Sequence, residues 1–282
     1  MYKVKNCFIE VIKIFIDTNT KESTEKSICQ YFNVDPIVLH QLFYKISLGE
    51  KPKLKEYINF IQKYKNNKRI DYVLFNHLSR RLNSSNEYNG VENLRELLTT
   101  ENAISCFLNE HSISFELTDE HIGMKYKGKD ILLEEDYRTK ASRLKVRLGY
   151  IKGYLDYCVN GFLFKEFLNG NYYYRRLHDA PEFISDLGYY FNDKTIVEDY
   201  KSNSQFYCFQ YNIPLPKIQF DALNLDTKIV EDDKEVILLI LVLDWLYFSN
   251  YNNYCDNDNV VIRLLDSDRI EEKYFIKKEK LV

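Results

Sequence analysis

The longest apolar run of the chain, Val236 to Leu243 (VILLILVL), is the feature that most constrains its fold. Exposing such a run to water costs about 25 cal/mol for each Å² of apolar surface, so it has to be buried. Asp244 interrupts it well before the roughly 20 residues that a membrane-spanning helix needs. We therefore expect Glu235 to Phe248 to form a core element, and we expect no membrane association.

Composition indicates a folded protein, because 45% of the 282 residues are hydrophobic and 29% are charged. The six cysteines lie far apart without a CxxC pair, which favours reduced thiols and a cytoplasmic location. The N-terminal apolar segment is interrupted by charges and has no small-residue cleavage site, unlike a signal peptide. Scarce Gly and Pro beside abundant Lys, Asn, Ile and Tyr fit an AT-rich coding sequence, such as that of a low-GC bacterium or its bacteriophages.

The N-terminal third has helical periodicity. Apolar residues at three- and four-residue steps predict helices over Phe8 to Ile16, Pro52 to Tyr64 and Asp71 to Leu82. Between the first two, residues 24–45 resemble the helix-turn-helix of DNA-binding regulators, and the exposed positions of its second helix are expected to be Ile37, Val38, His40 and Gln41. The resemblance implies possible nucleic-acid binding.

Charge divides the chain at the turn-rich segment Asn83 to Gly90. Residues 1–86 carry 15 basic and 8 acidic side chains, a net charge of +7, and the remaining residues carry −10 because the whole chain carries −3. We expect a basic helical module at 1–86, able to bind nucleic acid or another anionic partner, and an acidic domain at 87–282. The alternative is that the lysines only solvate helix surfaces.

The acidic domain mixes helical and strand patterns. Ser112 to Leu133 predicts a small antiparallel meander, and Arg138 to Val159 a long helix. Further strands are expected at Gln205 to Ile213 and Lys217 to Leu223, and near the end at Val260 to Leu265 and Lys273 to Ile276. The predicted fold class is α+β, a helical N-terminal module followed by a mixed body with antiparallel strands.

The segment Tyr172 to Phe191 (YYYRRLHDAPEFISDLGYYF) concentrates residues that could do chemistry. We expect a strand over Tyr172 to Arg176 and a helix from Ala180 to Leu187, since Asp179 suits an N-cap and Gly188 a helix end. Arg175 and Arg176 would then lie near a helix N-terminus, where guanidinium groups and free amides favour phosphate.

Three short segments resemble the mono-ADP-ribosyltransferase toxins related to cholera and pertussis toxins. They are Tyr174-Arg175 with Pro181, Ile184 and Gly188; the aromatic strand Ser204 to Pro214; and the acidic loop Asp233 to Val236. The resemblance implies NAD as the cofactor. It assigns NAD binding to Arg175 and Tyr174, catalysis to Glu235, which would stabilise the oxocarbenium-like centre, and orientation of the nucleophile to Asp233.

The sequence also departs from that family. Its Ser-Thr-Ser strand is not present, and the nearest stand-ins are Tyr189 to Asn192, which gives Tyr190 as a further cofactor-binding candidate, and Tyr200 to Ser204. Asp233 stands where the family has Glu or Gln. No zinc pattern or EF-hand spacing occurs, so no metal is expected.

Structural roles explain the same residues equally well. Arg175 and Arg176 could form surface ion pairs, and Glu231, Asp232, Asp233 and Glu235 could stabilise a following helix through its dipole. The tyrosine-rich surface also suits a protein partner. Three functions therefore stay open: NAD-dependent ADP-ribosyl transfer, a non-catalytic binding or inhibitor protein of a phage or mobile element, and a DNA-binding regulator.

Overall fold

The computed structural model describes residues 14–49, 52–85, 87–220, 233–251 and 259–281. They form two compact units with an α+β fold, as the sequence predicts. The first unit contains the described residues up to 73 together with 214–216 and 233–251, and the second contains 74–213, 217–220 and 259–281. The division after Val73 differs from the charge-based division after residue 86.

The first unit is mainly helical. Its elements are strand β1 (Ile14–Ile16), helices α1 (Lys21–Phe32), α2 (Pro36–Ser47) and α3 (Lys53–Tyr64), the start of strand β2 (Ile70–Leu82), and, from later in the chain, the long helix α10 (Lys234–Asn250). Asn33 ends α1 in the left-handed conformation, and the Asp35 side chain accepts a hydrogen bond from the N–H of Ile37. Two helices joined by a short turn are therefore present where the sequence predicts them.

Helix α10 is the core of the first unit, as its apolar run predicts. It packs against α1 and α3, and its residues from Ile237 to Leu243 are all buried. Asp244 ends the run, and its carboxylate accepts a hydrogen bond from the Tyr57 hydroxyl and pairs with Lys53. In the described part of the chain, no helix has both the length and the apolar character needed to cross a bilayer.

Two predicted helices near the N-terminus are strands where the structure describes them. Ile14–Ile16 forms β1, which pairs in parallel with β2, and the rest of the predicted helix from Phe8 lies outside the described residues. The predicted helix Asp71 to Leu82 is wrong, because this segment lies in β2. Val73 to Asn76 are all buried, so the strand has apolar side chains on both faces and lacks the alternation that would identify it.

The second unit is built on a mixed sheet in which β2 is central. The other strands are β6 (Asn160–Phe162), β7 (Ser204–Pro214), β8 (Gln219–Phe220), β9 (Val261–Arg263) and β10 (Phe275–Lys280). Their order is β10-β7-β2-β6-β9-β8. Strand β7 confirms the predicted aromatic strand, and β9 lies within the predicted strand Val260 to Leu265. Strand β10 overlaps the predicted strand Lys273 to Ile276 only at Phe275 and Ile276, because Lys273 and Tyr274 lie in a 3-10 helix. Strand β8 forms part of the predicted strand from Lys217, whose end lies outside the described residues.

A buried amide pair connects three strands at the middle of this sheet. The Asn76 amide donates to the carbonyls of Phe162 and Leu163, and its oxygen accepts a 2.7 Å hydrogen bond from Gln210. Beside it, Gly161 faces Phe75, and a Cβ added at Gly161 would lie 2.3 Å from the Phe75 ring. Only glycine fits there without displacing the ring.

A second layer of the same unit surrounds a separate apolar core. It consists of the predicted meander, β3 (Ile113–Leu117), β4 (Ile122–Tyr126) and β5 (Lys129–Ile131), together with helices α4 (Leu94–Thr99), α5 (Ala103–Glu110), α6 (Thr139–Arg147), α8 (Glu182–Phe191) and α9 (Thr195–Ser202). Helix α7 (Tyr172–Leu177) packs instead through Tyr174 and Leu177 against a smaller cluster that contains Phe206. The helix predicted over Arg138 to Val159 ends at Arg147, because Gly149 turns the chain at φ 80° and packs against the Tyr157 hydroxyl.

Candidate functional site

The second unit contains a cavity of about 890 Å³ beside the C-terminal half of β2. Strand β6 pairs with β2 only at Asn76 and Phe162, so the sheet opens beyond that point. Residues 77–82 of β2, residues 158–162 and the first turn of α8 line the opening. Small-molecule sites typically enclose about 300 to 1,000 Å³, so the cavity has the size of a ligand site.

The charge of the cavity lining is positive. It contains five arginines and three carboxylates, a net charge of +2, in a chain whose overall charge is −3. The arginines are Arg80, Arg81, Arg147, Arg176 and Arg263, and the carboxylates are Glu92, Asp156 and Glu182. A positive cavity in an acidic protein attracts an anionic ligand.

Arg80 has neutral partners. Its guanidinium donates to Ser204 Oγ at 2.8 Å, to the His178 carbonyl at 2.6 Å and to the Lys201 carbonyl at 2.8 Å. These bonds fasten β2 to the ends of α7 and α9, and they use most of the five N–H groups of the side chain. The positive charge is held in place without being neutralised by a carboxylate.

Arg81 retains more of its donor capacity. Its Nε donates to Ser79 Oγ at 3.1 Å and one Nη donates to the Gly90 carbonyl at 2.7 Å, while the guanidinium lies 4.7 Å above the Phe209 ring. It forms no ion pair with any carboxylate of the described residues. An arginine that is stacked and oriented in this way, with N–H groups to spare, is suited to bind a phosphate.

The lining also contains an ion-pair network centred on Glu182, at the start of α8. Its carboxylate lies 2.8 Å from Arg147 and 2.9 Å from Arg176. Arg147 also pairs with Asp156 at 3.1 Å. Two of the three cavity carboxylates therefore neutralise arginines of the same wall. The alternative prediction that Arg175 and Arg176 form ion pairs is confirmed for Arg176, which pairs with Glu182.

His77 on β2 is neutral at physiological pH. Its Nδ1 lies 2.7 Å from the Asn160 carbonyl, which can only accept, so Nδ1 carries the proton. Burial, and to a lesser degree the charge of Arg81, lowers the pKa of His77 to about 4. Cys158 also lines the cavity, and burial raises the pKa of its thiol, which keeps it protonated.

The NAD-binding residues predicted in the segment 172–191, Tyr174, Arg175 and Tyr190, are not among the residues that line the cavity. The predicted strand is wrong, because Asn171 caps helix α7, which contains Tyr174 and Arg175. Arg175 is exposed, and the Tyr174 ring packs edge-on against Phe206 at 5.1 Å. The segment does contribute to the cavity through other residues, namely Tyr173, Arg176, Leu177 and 181–184.

Tyr190, the third predicted NAD-binding residue, is buried in the second core. Its hydroxyl donates a 2.9 Å hydrogen bond to Asp136, and the Arg138 guanidinium lies 5.1 Å above its ring. Burial and the bond to Asp136 raise the pKa of Tyr190. Tyr190 lies in α8, which begins at Glu182 and runs through Gly188 to Phe191, so the helix predicted over Ala180 to Leu187 does not end at Gly188.

The predicted catalytic residues belong to the first unit. Asp233 is the N-cap of α10 and accepts hydrogen bonds from the N–H groups of Glu235 and Val236. Glu235 Oε1 accepts from the Tyr31 hydroxyl at 2.7 Å and from the Ile70 N–H at 3.2 Å. Both carboxylates therefore have structural contacts: Asp233 caps α10, and Glu235 bonds to α1 and β2. Glu231 and Asp232, which the helix-dipole alternative also names, lie outside the described residues.

The sequence patterns missed the arginines that dominate the cavity. Arg80 and Arg81 are adjacent in a segment that the sequence predicts as a helix, whereas in the structure both lie in β2 and line the cavity. Their adjacency at the end of an apolar run was the available signal.

Comparison of the chain with known protein families, with curated proteins and with solved structures finds no match. Within the described residues, no three His, Cys, Asp or Glu side chains are grouped as metal ligands would be. The chemistry of the cavity lining is therefore the basis for a functional proposal.

Proposed function

We propose that the cavity of the second unit binds NAD, and that the protein uses it for ADP-ribosyl transfer. The observation that supports this proposal is the net positive lining, in which Arg80 and Arg81 lack carboxylate partners among the described residues. Arg81 in particular has N–H groups to spare, and a guanidinium binds the phosphates of a nucleotide through such groups.

The aromatic residues of the lining suit the rest of such a ligand. Tyr88, Tyr154 and Tyr173 lie on the cavity wall, and each is exposed enough to contact a ligand ring. Planar rings stack favourably on nucleotide bases, and the tyrosine hydroxyls can bond to ribose. Arginines and tyrosines together therefore favour a nucleotide over a simple inorganic anion.

In ADP-ribosyl transfer, the bond between ribose and nicotinamide breaks with its electron pair leaving on the nicotinamide, while an acceptor nucleophile bonds to the ribose carbon and gives its proton to solvent. A carboxylate assists because positive charge develops on the ribose. The toxin resemblance assigns this role to Glu235 with Asp233, and assigns NAD contacts to Arg175, Tyr174 and Tyr190. These assignments stay predictions.

The test is a calorimetric titration of the full chain with NAD, for wild type, Arg81→Gln, Arg175→Gln and the control Arg69→Gln. Arg69 is exposed in the first unit. We expect Arg81→Gln to weaken binding at least about tenfold, since a charge-assisted pair contributes roughly 1.5 to 3 kcal/mol. Equal affinity of Arg81→Gln and wild type, or no binding by correctly folded wild type, would overturn the cavity proposal.

Catalysis is tested separately by incubating the wild type with NAD and plausible acceptor proteins. Release of nicotinamide supports transfer or hydrolysis, and its absence at saturating NAD leaves a binding function only. This separation matters because a non-catalytic role also has support in the structure.

The alternative role is a protein-binding or inhibitor protein. Aromatic side chains of the second unit are unusually exposed, with Tyr137 at 92% and Tyr189 at 66% of their full accessibility. Tyrosine provides rigid, amphipathic contact area at interfaces. A stable complex recovered with the full chain from a low-GC bacterial lysate, and lost on Tyr137→Ser or Tyr189→Ser, would favour this role.

A further inference from the structure

Residues 151–155 (IKGYL) form a loop of the second unit in which every residue is exposed. Three of the five, Ile151, Tyr154 and Leu155, have large apolar side chains. Leaving such surface in water costs about 25 cal/mol for each Å². Exposed apolar surface concentrated in this way indicates that the loop has a second position, or a partner, in which the surface is covered.

Both ends of the loop are fastened to the rest of the unit. Before the loop, the N–H of Tyr150 donates a 2.9 Å hydrogen bond to the Lys145 carbonyl. After the loop, the N–H of Tyr157 donates to the Asp266 carboxylate at 2.6 Å, and its carbonyl accepts from the N–H of Leu94 at 3.0 Å. The positions of the two ends are therefore fixed.

The residues between these ends have no hydrogen bond or ion pair with any other described part of the chain. Their backbone bond, from the Tyr154 N–H to the Ile151 carbonyl at 3.1 Å, lies inside the loop. Gly153 has φ +78°, and a Cβ added there would meet no atom within 4 Å. A segment with so few contacts can change position at a small cost in free energy.

The loop borders the arginine-lined cavity. Tyr154 is one of the lining residues and is still 61% exposed, so its side chain lies at the mouth of the cavity. Arg147 and Asp156, on either side of the loop in sequence, also line the cavity and pair with each other at 3.1 Å. The loop therefore leaves the cavity wall and returns to it.

We propose that residues 151–155 are a lid that closes over the cavity when a phosphate-containing ligand binds, with Tyr154 in contact with that ligand. Closing takes the exposed apolar side chains out of water. It also excludes water from the arginines, which strengthens their attraction for phosphate. The inference rests on the ligand site of the proposed function, but it does not require the ligand to be NAD.

Lys152 reports the position of the lid, because it is exposed in the loop and is the one Lys or Arg between Arg147 and Lys165. The experiment is limited digestion of the full chain with trypsin, alone, with NAD and with inorganic diphosphate, and the fragments are identified by mass spectrometry. We expect NAD to slow cleavage after Lys152 several-fold, because a protease cuts the open form of a loop. Cleavage after Lys127 and Lys129, which are exposed and do not line the cavity, is the internal control and should not change.

A lid also controls the release of the ligand. We expect Tyr154→Ser to raise the dissociation rate of NAD several-fold and to change its association rate little, since the open form already admits the ligand. Surface plasmon resonance with immobilised protein measures both rates. The matched control is Tyr137→Ser, because Tyr137 is an exposed tyrosine of the same unit outside the cavity lining.

The outcomes separate the lid from the NAD site. If NAD binds in the calorimetric titration but leaves cleavage after Lys152 unchanged, the lid fails and the NAD site stands. If inorganic diphosphate binds and protects Lys152 while NAD does not bind, the lid stands and the NAD site fails. If neither ligand binds, both proposals fail. Equal dissociation rates for Tyr154→Ser and wild type would also contradict the lid.

Discussion

The hydroxyl of Tyr31 donates a 2.7 Å hydrogen bond to Glu235 Oε1, which joins the last turn of α1 to the first turn of α10. The same oxygen accepts from the N–H of Ile70, the first residue of β2. Burial and the bond to Glu235 raise the pKa of Tyr31, so its phenol stays protonated and remains a donor. One carboxylate thus holds three elements of the first unit together.

Glu235→Ala is therefore expected to destabilise the protein. The substitution leaves a buried hydroxyl and a backbone N–H without an acceptor, at a cost of roughly 1 to 3 kcal/mol each. Glu235→Gln keeps an acceptor oxygen and should cost less. Urea unfolding of both variants measures the difference, with the exposed Glu22→Ala as control. Unchanged stability of Glu235→Ala, together with lost NAD turnover, would instead support the catalytic assignment.

Stability is expected to fall in mild acid because of His77. Its pKa is lowered from 6.5 to about 4, so the unfolded chain takes up a proton before the folded protein does. His77 does not lower the free energy of unfolding above pH 6.5. As the pH falls from 6.5 towards 4, protonation of His77 in the unfolded chain lowers that free energy by about 1 to 3 kcal/mol. His77→Asn keeps an N–H donor for the Asn160 carbonyl and does not titrate. Comparing urea midpoints at pH 7 and 4.5 should give a smaller decrease for this variant; an equal decrease would contradict the assignment.

Gly161→Ala should destabilise the central sheet by about 1 to 3 kcal/mol, because the added methyl group collides with the Phe75 ring. Introduced into the Phe75→Leu variant, Gly161→Ala should cost less stability than it costs in the wild type. Gly128→Ala, at a turn with open space around it but φ +74°, is a comparison in which strain acts without a collision. Additive effects of the two substitutions at 161 and 75 would contradict the contact.

Removing one negative charge from the cavity should strengthen NAD binding. Glu182→Gln removes the carboxylate partner of Arg176. It also removes one of the two partners of Arg147, whose ion pair with Asp156 remains. We expect a several-fold higher NAD affinity and a steeper decrease with salt, because more positive charge meets the diphosphate. Titrations at two salt concentrations give both quantities. Weaker binding with an intact fold would indicate that Glu182 contacts the ligand directly.

The full chain is expected to bind duplex DNA only weakly and without sequence preference. The exposed surface of α2 and its C-cap presents Ile37, Tyr44 and Leu48 beside His40 and Gln41, so few of its side chains can form the hydrogen bonds to base edges that give most sequence specificity. The +7 charge of residues 1–86 still predicts salt-sensitive association. Fluorescence anisotropy with two unrelated duplexes is the measurement, and a strong preference for one of them would restore the regulator hypothesis.

Local patterns predicted the elements whose periodicity and caps agree. Asp35 and Pro36 begin α2 as expected, the apolar run gives α10, and alternation gives the β3-β4-β5 meander. Strand β2 was missed because a strand buried on both faces resembles a helix in its spacing of apolar residues. Tyr172 to Arg176 was missed because three tyrosines favour a strand, whereas the Asn171 cap determines a helix.

The cavity could not be predicted from local patterns, because it depends on partners that are distant in sequence. The arginines of β2 meet α8 and β9 residues only through the sheet order, and nothing near residue 80 in the sequence specifies that order. The same limit applies to the first unit, where α10 packs against α1 and α3 from the far end of the chain.

The amide pair at the middle of the sheet has a consequence for how the chain folds. Asn76 bonds to Phe162 across 86 positions and to Gln210 across 134. Both long loops have to close before these buried amides find their partners, and loop closure on this scale slows folding. The second unit should therefore fold slowly, because Asn76 in β2 has to wait for residues that are synthesised long after it.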